Sequence, residues 1–193
     1  PLKHFTTLNT AAQLQRLRLS NNLLTGQIPT QLANLPALQI LDLSTNQLTG
    51  QVPGALGGLN ALEELLLANN QLTGNIPPQL ANLASLRRLV LAYNQLSGSI
   101  PSQLGNLSAL TYLILTRNQL QGAIPPSLGS LSQLRFLDLA SNRLTGSIPA
   151  DLANLSQLQE LKVYSNALSG SVPAGLCDID TLNYMDLGFN SIT

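Results

Sequence analysis

One histidine, His4, and one cysteine, Cys177, are all the chain offers for Cys/His or Ser/His nucleophilic chemistry. Such a site needs an imidazole within hydrogen-bond reach of its nucleophile. The two residues stand at opposite ends of the sequence, and a single cysteine leaves no intrachain disulfide and no CxxC spacing for metal or redox work. Cys177 reads instead as a small buried hydrophobe. Paired carboxylates for glycoside hydrolysis must sit within about 5 to 10 Å. Glu63 and Glu64 are chain neighbours that project differently, and Asp42 and Asp138 are far apart. Gly54, Gly57 and Gly58 precede no lysine and form no phosphate loop. Zinc and calcium ligand spacings are missing. These residues point away from an enzyme, and no metal or cofactor is expected. Two sequons, Asn106-Leu-Ser108 and Asn154-Leu-Ser156, offer sites for N-glycosylation.

What must position any functional residue is a repeat. Asn22, Asn46, Asn70, Asn94, Asn118, Asn142, Asn166 and Asn190 recur every 24 residues without insertion. From Leu14 the register reads LxxLxLxxNxLxGxIPxxLxxLxx seven times, over residues 14–181. A partial eighth copy fills residues 182–193, and residues 1–13 fit part of a preceding one, with Leu8 on the helix side and His4 and Phe5 placed to cover the first coil. The LxLxx alternation is that of a short strand. The inward-turned Asn at the ninth position is suited to bond the backbone of adjacent coils, forming a structural asparagine ladder. LxGxIP supplies a glycine for a tight bend and a proline to close a short extended piece. PxxLxxL has the spacing of a 3₁₀ or α turn. One coil cannot bury its own leucines, so the copies must stack into an α/β solenoid with a parallel sheet.

Composition agrees with such a scaffold. Only 9% of residues are charged, against roughly 25% in ordinary soluble domains. Nine basic and nine acidic residues cancel, which leaves no net field to attract nucleic acid or an anionic membrane. No stretch approaches the roughly 18 apolar residues of a transmembrane segment.

The NxLxGxIPxxLxxL run resembles the plant-specific class of leucine-rich repeats, which includes receptor-kinase ectodomains and polygalacturonase-inhibiting proteins. The resemblance covers Leu14 to Thr193. It implies a right-handed superhelix with a concave parallel sheet, a short second sheet, 3₁₀ or α turns on the convex side, and recognition of a protein, peptide or glycan. It also implies an extracellular or cell-surface place, although the cysteine-bearing caps of such proteins are missing. The last copy stops before its glycine, which suggests a piece of a longer protein.

On the concave sheet the second, third, fifth, seventh and eighth positions are expected to face outward. Their columns bring Leu66, Val90, Ile114, Tyr93, Tyr112 and Phe136 into one apolar and aromatic patch with Arg88 and Arg117 inside it. Aromatics and arginine are the types enriched in binding hot spots. The same residues also favour strands for their own sake, so the patch is either a contact surface or strand filling. Cross-strand pairs are expected between Arg18 and Asp42, Glu63 and Arg87, Glu64 and Arg88, and Asp138, Lys162 and Asp186. The two variable places of LxGxI form files of Thr, Ser, Gln and Asn, from Thr25 and Gln27 to Ser169 and Ser171. Some plant proteins of the resembled class bind ice, and such a file is what that would need. Recognition through copies three to six is the leading expectation. A structural subunit of a larger assembly or cell surface is the alternative, and ice binding is the remote one.

Overall fold

The computed structural model describes residues 12–193, so the expectations for His4, Phe5 and Leu8 fall outside the described residues. Eight three-residue strands, from Arg16–Arg18 to Tyr184–Asp186, form one parallel sheet in strict sequence order. Each pairs with the strand one repeat later without slippage, for example Leu65 with Leu89 and Leu89 with Leu113. The fixed repeat length explains this: any shift would turn a leucine out and a polar residue in. The coils are numbered 1 to 8 here by these strands.

The inward apolar residues of the strand segments, mostly leucines, meet those of the back turn in a continuous core. Leu86, Leu89 and Leu91 of coil 4 join Leu104 and Leu107 from its own turn, all 0% exposed. At the back the chain forms 3₁₀ helices such as Ser102–Asn106, not α helices. The proline before each is still extended, with φ −63° and ψ 126° at Pro101, and the helix begins at the next residue.

The second sheet differs from a single continuous flank. It is two four-stranded ladders, one from Thr25–Gln27 to Gln95–Ser97 and one from Gln121–Ala123 to Ser191–Ile192. Between them two hydrogen bonds still cross, from Gln119 N–H to Leu96 O and from Gln121 N–H to Gly98 O, each 2.8 Å.

Cys177 is exposed, which corrects the buried reading. Its helical turn is short, Ala174–Leu176, and Cys177 follows it as the cap. In earlier coils the corresponding position is covered by the next coil's backbone, as Gly129 is by Asp151. Among the described residues no later turn lies over Cys177.

Candidate recognition face

The asparagine side chains tie each coil to the one before. Asn118 Nδ2 donates to Leu91 O of coil 4 and to Leu115 O of its own coil, at 3.1 and 3.0 Å. Its Oδ1 accepts from Leu96 N–H at 3.0 Å. Asn46, Asn70, Asn94, Asn142, Asn166 and Asn190 make the same set, while Asn22 bonds Leu19 O and Ser20 O within its own coil. These amides are occupied by backbone and are not available to a ligand.

The residue before each asparagine sits in the left-handed region. Tyr93 has φ 56° and Arg117 φ 54°, and every other eighth position from Asn21 to Phe189 lies between 52° and 57°. For residues with a bulky side chain this conformation costs about 1 kcal/mol or more. It turns the chain off the strand and lifts the eighth side chain along the sheet's margin. Tyr93 is 47% exposed. The seventh position behaves differently from expectation. Ala68, Ala92, Thr116 and Ala140 are buried, because the turn folds them under the neighbouring side chains.

Between these columns the predicted patch assembles. Leu66, Val90 and Ile114 stand adjacent in register and are half-buried, as are Arg88, Tyr112 and Phe136. Tyr112 and Phe136 stack with ring centroids 4.5 Å apart and planes 5° from parallel. The Arg88 guanidinium lies 5.1 Å from the Tyr112 ring centre, and that of Arg117 5.3 Å from Tyr93. Two arginine–tyrosine pairs thus flank an aliphatic floor from opposite sides. Each pair holds a cation over a π face, which limits its rotamers before any ligand arrives.

The charged columns follow the register only in part. Glu63 meets Arg87 and Glu64 meets Arg88, both at 3.7 Å. Lys162 does not bridge Asp138 and Asp186. It donates to Glu160 Oε2 on its own strand at 2.6 Å, because residues two apart point to the same face. That bond holds the Lys162 ammonium above its ordinary pKa. Arg18 and Asp42 are register partners without an ion pair within 4.0 Å. Asp42, like Asp138, accepts a backbone N–H two residues on instead.

Burial pushes the Asp138 carboxyl above its ordinary pKa, against the opposing pulls of the Ala140 N–H that it accepts and of Lys162. Folding therefore favours its protonated form. The group's stabilising contribution is full at low pH and lost as the pH rises through its folded value. Asp138→Asn keeps an acceptor for Ala140 and removes the buried charge. Its melting temperature should equal or exceed that of the wild type at neutral pH. The difference should vanish as the pH falls through about 4, which thermal denaturation across a pH series reads directly.

Among the described residues there is no group of three or more His, Cys, Asp or Glu that could hold a metal. No helix among them is long and apolar enough to cross a membrane. Three shallow clefts lie between successive coils away from the aromatic patch, one of them lined by Ile76, Pro78, Ile100 and Gln103.

A sequence model of the leucine rich repeat matches residues 12–72 and 84–144, and one of leucine rich repeats in two copies matches residues 60–101. The chain belongs to the leucine-rich-repeat family. Its repeats are similar to those of solved plant receptors. The crystal structure of a TDR receptor superposes with a TM-score of 0.96 at 36% identity, over 97% of this chain and 32% of that one. The Arabidopsis receptor kinase HAESA, crystallised with the peptide hormone IDA and the co-receptor SERK1, gives 0.93 at 37%, over 97% and 31%. A plant ice-binding protein gives 0.76 at 31%, over 91% and 65%. A comparison with curated proteins finds no match. This leucine-rich-repeat chain spans about a third of the length of the two receptor structures.

Proposed function

We propose that the chain is a recognition module that binds a protein, peptide or glycan across the concave face of coils 3 to 6, with Leu66, Arg88, Val90, Tyr93, Tyr112, Ile114, Arg117 and Phe136 as the contact residues. One observation carries this reading. The stacked Tyr112–Phe136 pair and the two arginine–tyrosine pairs concentrate hot-spot side chains at the centre of the sheet, and they touch each other rather than the core. Strand filling alone would not call for arginine on both margins. The HAESA ectodomain, similar in fold over the whole of this chain, was crystallised with a peptide hormone, which favours a peptide or protein partner.

The test is a triple substitution, Arg88→Ala with Tyr112→Ala and Phe136→Ala. Against a binder selected from peptide and glycan libraries on the wild-type chain, affinity should fall by about a hundredfold or more. The melting temperature should change little, because these side chains are only half-buried. Unchanged affinity overturns the reading. A passive assembly subunit would instead appear only in a fixed complex by native mass measurement.

The ice reading has weaker support. The hydroxyl file of the second sheet is broken by Gln121 and Ala123, at the place where the sheet itself divides. An extracellular or cell-surface place fits the receptor neighbours. Asn106 and Asn154 then belong to the same proposal. Both end a 3₁₀ helix on the convex side, both are exposed, and glycans there would leave the sheet free. Produced through a secretory pathway, the chain should lose mass on enzymatic deglycosylation, and Asn106→Gln with Asn154→Gln should abolish the shift.

A further inference from the structure

The fifth and seventh positions of each coil are linked by a hydrogen bond in some coils and not in others. In coil 2 Asp42 Oδ1 accepts the Ser44 N–H at 3.0 Å. In coil 6 Asp138 Oδ1 accepts the Ala140 N–H at 3.0 Å, and in coil 8 Asp186 Oδ1 accepts that of Gly188 at 3.1 Å. These aspartates project from the concave face, so the seventh N–H is aimed at that face. Coils 3, 4 and 5 carry Leu66, Val90 and Ile114 at the fifth position, which have no acceptor. The N–H groups of Ala68, Ala92 and Thr116 correspondingly donate to nothing among the described residues. The carbonyls of the same three residues are engaged, by the N–H groups of Thr45, Asn69 and Tyr93. All three residues are buried, at 9%, 3% and 7% exposure. An unbonded N–H on a largely buried residue is a place where an arriving acceptor gains a hydrogen bond.

Three such donors stand about 4.8 Å apart in consecutive coils, within the coils that hold the aromatic and arginine cluster. Coils 3 to 5 carry Arg87, Arg88 and Arg117 against Glu63 and Glu64, and the two glutamates lie against Arg87 and Arg88. Arg117, on the margin beside these donors, has no carboxylate within 4.0 Å among the described residues.

We propose that the partner of coils 3 to 5 is an extended peptide that sets aspartate or glutamate carboxylates on the Ala68, Ala92 and Thr116 N–H groups, in the seats that Asp42, Asp138 and Asp186 fill from within the protein elsewhere. This deepens the recognition reading above and rests on it. The occupant is a peptide rather than an acidic glycan because the column of seats runs beside the aliphatic floor of Leu66, Val90 and Ile114, with the Tyr112–Phe136 stack across it. Those features need apolar side chains between the carboxylates, and a polyuronate has none. Arg117 on the margin adds charge assistance to the same oxygen atoms.

The test compares three probes by amide NMR on the intact chain. One is a pool of acetylated heptapeptides alternating Asp with Leu, Val, Phe or Tyr. The second is the same pool with Asn for Asp, and the third is an oligogalacturonate. The Asp pool should bind at least about tenfold more tightly than the Asn pool and should shift the amide protons of Ala68, Ala92 and Thr116. Val90→Asp, which places a carboxylate in coil 4's own seat, should weaken the Asp pool by about tenfold, and Val90→Thr much less. The scaffold tolerates aspartate at this position in three other coils, and Asp138→Val provides the reverse variant. It opens the Ala140 donor and should tighten the Asp pool. Equal binding of the Asp and Asn pools on the amides of coils 3 to 6 overturns the carboxylate seats and leaves the recognition face standing. Binding of the uronate alone, or of the Asp pool with those three amides unmoved, overturns the proposal as well. If no probe moves any amide of coils 3 to 6, the seats and the recognition face both fail.

Discussion

Replacing Asn118 with alanine is expected to lower the unfolding free energy by about 3 to 5 kcal/mol, as it should at the equally buried Asn70 and Asn94. The side chain is 9% exposed and joins two coils through four backbone groups: Leu91 O, Leu115 O and Thr116 O accept from its Nδ2, and Leu96 N–H donates to its Oδ1. Truncation leaves these groups inside a leucine core without the amide that bonded them. Each unsatisfied group costs about 1 to 3 kcal/mol, and some relaxation of the turn recovers part of the sum. Asn22→Ala is the internal comparison. Asn22 is exposed and, among the described residues, bonds only Leu19 O and Ser20 O, where water can replace it. Its loss should cost under about 1 kcal/mol. Denaturant unfolding of both variants measures the contrast. Equal losses would mean that the ladder acts within each coil rather than between coils. Because a solenoid is held by nearest-neighbour terms, the Asn118 loss should also broaden the transition, as the two halves come to unfold separately.

Gly129→Val is expected to destabilise by about 3 kcal/mol, near the top of the range for overpacking. A Cβ on Gly129 would lie 2.2 Å from the backbone oxygen of Asp151 in the next coil. A backbone carbonyl cannot swing aside as a side-chain end can, so coils 5 and 6 must separate at the back. Gly57 and Gly105 meet the same obstruction, from Gln79 O at 2.2 Å and Ser127 O at 2.3 Å. Alanine occupies the matching place in coils 1, 3 and 6, as Ala33, Ala81 and Ala153. The back of the stack therefore has two local spacings, and the glycines mark the tight ones. Gly58→Val is the control, since a Cβ there meets nothing within 4 Å. A comparable loss at Gly58 would assign the effect to backbone entropy instead of to the clash.

The recognition face divides along the same line between what a pattern states and what packing states. Register alone places Leu66, Val90, Ile114, Tyr112 and Phe136 side by side, since a parallel sheet of equal coils permits one alignment. Their mutual geometry is not in the pattern. The parallel stack of Tyr112 on Phe136 and the seating of Arg88 and Arg117 over tyrosine rings depend on side-chain torsions that each neighbour restricts. The seventh position reads as outward-facing, yet in coils 3 to 6 it is buried where the chain rolls into the left-handed eighth residue. Lys162 likewise had two candidate partners on adjacent strands. The Glu160 oxygen on its own strand was within closer reach.

By itself the sequence determined the solenoid, its single parallel sheet, the leucine core and the asparagines that link its coils. A repeat of constant length carries its long-range contacts as local ones, each coil meeting only copies of itself, so periodicity is enough to specify them. Only the tertiary structure decided which N–H groups of the sheet are capped, which glycines are obligatory, where the second sheet divides and that Cys177 is exposed. Those features turn on distances of a few tenths of an ångström between neighbouring coils and on the direction of single bonds. The type of a residue does not encode either quantity until its neighbours are in place.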